Sequence, residues 1–238
     1  MNTSMHESRV ATRIAGWSLV FAAIGFIGMF AYLAARFNYP DVLDGHAADV
    51  LPSLLSLGTT GRAVWALYAC LPLLLIPAGI GAHAALKHAS PNALNAALVF
   101  AVLSALTMLL GLARWPSIQW ELARAYSTAA PDVRVAIDAV FAGLNVYLGN
   151  LLGEFVGELA LNAFFVLTGF AALRAAQVGR WFGLGGIAVG VAGWIGAFRN
   201  VTAVVQPIAE LNNYLLPVCL IVLGVVLIRW RAADNALQ

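Results

Sequence analysis

The sequence predicts an all-α protein: a polytopic membrane helical bundle of about six transmembrane helices, with both termini cytoplasmic. Three observations predict it. The composition is 62% hydrophobic and 10% charged, with a mean hydropathy of +0.86. A soluble domain carries roughly 45–50% apolar and about 25% charged residues. Six stretches reach the length that spans a hydrocarbon core, which takes about 20 apolar residues. The pieces between them leave no room for a separate soluble domain, so residues 1–238 read as a single integral membrane domain.

The first span, about 14–36, follows the polar stretch MNTSMHESRVATR. Its charge-free run over 14–35 is longer than the apolar core of a secretory signal, which is roughly 7–15 residues. It therefore reads as an uncleaved helix, despite AYLAA at 31–35. The linker 37–62 holds a short amphipathic outer segment at about 47–57. Its Asp41, Asp44, His46 and Asp49 suit turns and caps rather than a metal site. The second span, about 63–86, contains Pro72 and Pro77, which kink it. The turn KHASPN leads to the third span, about 93–113.

In the linker that follows, Val133, Ile137, Val140, Phe141 and Leu144 fall on one helical face. This is a second amphipathic outer segment, about 131–146, with Pro131 in its first turn. It leads into the fourth span, about 147–173. The turn ALRAAQVGR precedes the fifth, about 181–204, and the sixth covers about 208–229. The residue before a proline avoids helix, which sets a break at Gln206.

Orientation follows from lysine and arginine. Arg9, Arg13, Lys87, Arg174, Arg180, Arg229 and Arg231 crowd the short connections on the side of the N-terminus. Arg36, Arg62, Arg114, Arg124, Arg134 and Arg199 are spread over longer ones opposite. Trp17, Trp181 and Trp230 then belong to an inner belt, and Trp65, Trp115 and Trp120 to an outer one. Cys70 and Cys219 sit in apolar runs and read as small buried hydrophobes.

Chemistry concentrates in the fourth span. Asn150, Glu154, Glu158 and Asn162 recur every fourth residue, a polar stripe on an α-helix. Gly149, Gly153 and Gly157 form a parallel stripe beside it, a spacing that lets another helix approach closely. A charge at mid-bilayer costs about 2.5–3.5 kcal/mol. The carboxylates therefore face the bundle interior and need a proton, water or a cation. Arg199 is the expected partner of Glu154, with Asn200, Arg114 and Glu210 as further members of an outward-opening polar cavity. Gly186 and Gly190 of the fifth span form another small-residue packing face. No cofactor motif, metal-ligand spacing, nucleophile–base arrangement or basic nucleic-acid patch is present in the sequence.

The Arg-Ile-Ala-Gly at 13–16, the RFNYPDVL at 36–43, the ALY at 66–68 and the Trp-Phe-Gly-Leu-Gly-Gly at 181–186 carry a resemblance over about 10–230. The chain resembles an uncharacterised family of six-helix bacterial membrane proteins, classed as a domain of unknown function. That resemblance implies a helical bundle in the bacterial cytoplasmic (inner) membrane. It brings no activity and no assigned residues.

The sequence points to a multi-pass protein that binds or transports a small amphiphile, lipid or proton-coupled solute at Glu154, Glu158 and Arg199. The first alternative is an integral-membrane isomerase or cyclase that uses a protonated Glu. The second is a structural subunit that docks through its glycine faces. Expected partners are membrane lipids, a small amphiphilic ligand, and a second copy or complex subunit on those faces.

Overall fold

A computed structural model describes residues 3–175 and 179–230. Arg231, placed with the inner arginines above, lies outside the described residues, as does the side chain of Asp44. Among the described residues there are helices and no strand. Six helical stretches are long and apolar enough to cross a membrane: Ser8–Phe37, Gly58–Leu86, Pro91–Thr128, Pro131–Arg174, Arg180–Asn200 and Ala203–Ile228. The expected all-α class, with six helices long and apolar enough to span a membrane, is met.

In chain order the α-helices are α1 (Thr3–Phe37), α2 (Ala47–Ser56), α3 (Gly58–Cys70), α4 (Leu75–Leu86) and α5 (Pro91–Ala113). Then come α6 (Ile118–Thr128), α7 (Pro131–Leu144), α8 (Gly157–Arg174), α9 (Arg180–Ala197) and α10 (Gln206–Ile228). The prolines act locally as their chemistry requires. Between α3 and α4, Leu71–Leu74 tightens into a 3-10 turn that contains Pro72. Pro131 opens α7, and Pro207 lies in the first turn of α10, where a missing N–H costs no helical bond. The fifth span ends earlier than expected. α9 stops at Ala197, and the 3-10 turns Phe198–Asn200 and Ala203–Val205 lead into α10.

Between α7 and α8, residues Asn145–Val156 are π-helical. Their backbone bonds run i→i+5, a looser winding than the α-helix. The sequence reading assumed an α-helical repeat here.

The chain divides into two compact units. The first comprises 1–24, 72–106 and 157–238. Its helices meet at bare backbone. A Cβ on Gly16 of α1 would stand 2.5 Å from the Gly224 carbonyl oxygen of α10, and one on Gly224 would stand 2.7 Å from that of Gly16. Gly169 of α8 abuts the Gly183 carbonyl of α9, and Gly190 abuts Asn162 and Val166. Small residues permit this proximity where lipid offers no hydrophobic drive.

The second unit comprises 25–71 and 107–156. Its core holds Leu33, Phe37, Val50, Leu51, Leu54, Trp65, Tyr68, Trp115, Trp120, Ile137 and Phe141. The α2 helix buries Ala47, Val50, Leu51 and Leu54, one apolar face. On α7 the buried residues are Ile137 and Phe141, while Val133 and Val140 are exposed. The expected face is therefore narrower than its apolar residues suggested. Trp65 and Trp115, expected in an outer belt, are fully buried and stacked with ring centroids 5.1 Å apart. Phe37 sits edge-on to both. Cys70 is exposed rather than buried, and both cysteines are free.

Candidate functional site

In the first unit the site grows from α8 and the end of α9. Glu158 lies in the first turn of α8, and Arg199 lies in the 3-10 turn that ends α9. The guanidinium meets the carboxylate with both prongs: Nη1 donates to Oε2 at 2.6 Å, and Nη2 donates to Oε1 at 2.7 Å. The two side chains are 18% and 23% exposed. This planar fork-to-fork geometry is the arrangement that best offsets arginine and carboxylate desolvation. The pair expected from the sequence was Arg199 with Glu154. The carboxylate found in bidentate contact is Glu158, four residues on.

One turn further, Asn162 is buried and donates through Nδ2 to the Glu158 carbonyl at 2.7 Å. Its Oδ1 is buried without a hydrogen-bond partner. A Cβ on Gly193 of α9 would collide with that oxygen. Trp194 ties α9 to α8 by donating from Nε1 to the Leu159 carbonyl at 2.9 Å. Asn200 and Glu210 are exposed, and Glu210 accepts from Gln206 of its own helix. The first unit thus gathers Glu158, Asn162 and Arg199 and sets Glu210 at its surface.

In the second unit the polar focus is Arg114, only 4% exposed. Its Nε donates to Asn145 Oδ1 at 3.1 Å, and its Nη1 donates to the Gly111 carbonyl. Its guanidinium carbon lies 5.0 Å from the Trp115 ring centroid. Glu154 and Tyr39 both act on it electrostatically. Asn145 Oδ1 also accepts from Gln119 Nε2 at 3.0 Å, and Gln119 is wholly buried. The guanidinium rests on Gly149, where a Cβ would meet Nη2 at 2.6 Å. Gly153 faces Gly111, so closely that a Cβ on either would stand under 3.0 Å from the other's Cα. The half-buried Asn150 and Glu154 belong to this unit, and the half-buried Glu158 and the buried Asn162 to the other.

The glycine stripe therefore serves this chain itself. Gly149 seats Arg114, Gly153 takes Gly111, and Gly157 is buried. Gly186 and Gly190 lie against α8.

The domain of unknown function DUF4386 matches residues 14–230. The chain belongs to that family. No curated protein and no solved structure matches it. Within this DUF4386 chain, sequence reasoning missed Asn145 and Gln119, the two amides that hold the buried arginine. A signal for Gln119 was present. In IQWELARAYST, Gln119, Trp120, Ala123 and Tyr126 recur at helical spacing, and all four are buried. Asn145 carried none, because it follows the apolar face of α7 and opens the π-helical stretch.

Proposed function

We propose that this multi-pass membrane protein binds, and in the fuller form of the reading transports, a small amphiphile, lipid or proton-coupled solute. The Glu158–Arg199 pair is its polar recognition point. The observation that supports this is the bidentate pair itself, half-sheltered within two apolar spans. An anionic head group can compete with Glu158 for the guanidinium, and a displaced carboxylate in an apolar setting takes a proton readily. Anion binding and proton uptake are thereby coupled at one residue pair.

The enzyme reading needs a carboxyl without a cationic partner. Glu158 has Arg199, and Glu154 acts on Arg114. The structural-subunit reading needs an open glycine edge, and Gly149 and Gly153 are covered by this chain's own Arg114 and Gly111. The proposed partners are accordingly membrane lipids and the amphiphile. A second copy would have to dock on another face. The proposed setting is a bacterial cytoplasmic membrane with both termini inside, supported by the density of arginine and lysine in the short connections.

The test uses reconstituted protein with laurate and dodecylamine as probes. Arg199→Gln should weaken laurate binding about tenfold or more, and Glu158→Gln, which removes the competing carboxylate, should tighten it. Dodecylamine should respond to neither change in that order. In infrared difference spectra, laurate should raise a carbonyl band that Glu158→Gln abolishes. Equal laurate affinity in all three proteins, with no such band, overturns the reading.

A further inference from the structure

One face of α1 is left uncovered. Its Gly16 is met by Gly224 of α10, and its Ala15 by Gly81 of α4. On the remaining face Val10, Ile14, Trp17 and Phe21 recur at helical spacing as one stripe, each 43–60% exposed. They line an open groove together with Leu74, at the junction of the 3-10 turn with α4. The Trp17 and Phe21 rings lie 6.0 Å apart.

One polar group in this groove is available to a ligand. Ser18 is buried, and its hydroxyl donates to the Ile14 carbonyl at 2.9 Å. Arg13 is exposed and has no ion-pair or hydrogen-bond partner among the described residues. It is the last charge before the charge-free run of the first span.

Length and charge narrow what fits. From Arg13 to Phe21 the helix axis advances about 12 Å. The hydrocarbon of one leaflet is about 15 Å deep. The groove therefore offers a cation at its polar end and an apolar track for most of an acyl chain. The neighbouring helix ends are basic as well, with Arg9 on α1, Lys87 capping α4 and Arg229 capping α10. A second copy in the same orientation would bring like charges to Arg13. A zwitterionic lipid brings a phosphate already matched by its own ammonium. An anionic phospholipid supplies the missing charge.

We propose that this groove is a binding site for one anionic phospholipid, its phosphate paired with Arg13 and an acyl chain lying along Ile14, Trp17, Phe21 and Leu74. The site shares no residue with the Glu158–Arg199 pair.

The test reads the fluorescence of Trp17, taken as the difference between wild type and Trp17→Phe, in phosphatidylcholine nanodiscs. A small fraction of the lipid carries mid-chain bromine, which quenches an indole that it touches. The brominated lipid is either phosphatidylglycerol or phosphatidylcholine. Quenching should give phosphatidylglycerol an association constant about fivefold the higher, the worth of one arginine near an anionic lipid. Arg13→Gln should abolish that preference, and Arg13→Lys should keep most of it. Arg180→Gln, which removes an exposed cation outside the groove, should leave it unchanged. Glycerol phosphate in solution, which lacks the chains, should not relieve the quenching. Equal quenching by both lipids, the result of an ordinary lipid annulus, overturns the proposal. So does a preference that survives Arg13→Gln, or relief by glycerol phosphate. Quenching by neither lipid, the result of a face covered by a second copy, overturns it too.

Discussion

The guanidinium of Arg114 lies on the bare backbone of Gly149, so close that a methyl group at that position would stand 2.6 Å from Nη2. Gly149→Ala must therefore move a buried charge away from Asn145 and the Trp115 ring. Overpacking of this kind costs about 1–3 kcal/mol. Unfolding of Gly149→Ala in mixed micelles should show that loss. Combining it with Arg114→Met should recover part of it, because the longest arm of the clash is gone. Full additivity of the two changes would show that the contact carries no strain.

Asn145 Oδ1 accepts from two buried donors, Arg114 Nε and Gln119 Nε2. Asn145→Ala removes the acceptor from both at once. With about 1–3 kcal/mol for each stranded donor, the expected loss is about 2–6 kcal/mol. Asn145→Asp keeps an acceptor and adds a charge opposite to that of Arg114, so it should cost much less. Equal losses in the two variants would mean that side-chain volume, not acceptance, is what matters at this position.

The Glu158–Arg199 pair is suited to a double-mutant cycle. Glu158→Gln and Arg199→Gln should each destabilise by about 2–4 kcal/mol, since each leaves the other charge short of its partner inside apolar spans. The double variant should cost less than the sum, with a coupling of about 1–3 kcal/mol. A coupling near zero would mean that solvent already screens the pair.

Trp65 and Trp115 stack in the centre of the second unit with no exposed surface. Trp65→Ala opens a cavity under the partner ring, at about 3–5 kcal/mol. It should also flatten the near-ultraviolet circular dichroism, which reports ordered aromatic packing. A Trp65→Phe variant should retain most of both. If Trp65→Ala leaves the dichroism intact, the ordered signal arises elsewhere.

These residues mark where the sequence was legible. The spans could be read because lipid imposes length and apolarity on every crossing, and the helix start at Pro131 could be read from proline chemistry, whereas Gln206, expected to stay out of helix before Pro207, is helical and opens α10. That Glu158 needs a proton, water or a cation followed from the cost of a charge in lipid. Which carboxylate Arg199 would grip did not follow. The repeat of four assumes an α-helix, and the stretch Asn145–Val156 winds otherwise. Trp65 and Trp115 misled for a related reason. Tryptophan near the end of an apolar stretch suits a membrane interface and an aromatic core alike, and only tertiary packing separates the two. The amides around Arg114 were hidden because a buried polar residue is recognised by its partners, and those come from helices far apart in the chain.

The contact between Gly16 and Gly224 joins the first long helix to the last. A ribosome adds about 5–20 residues each second, so the ~200 residues between these glycines take roughly 10–40 s to make. Until α10 has been made, Gly16 of α1 lacks the Gly224 backbone that covers it in the folded chain. The nascent chain thus passes a stage in which the Gly16 face of α1 waits for α10. Any factor that escorts this protein during synthesis meets that face open. A ribosome stalled before α10 leaves a product that has its early spans and lacks the clasp that closes them.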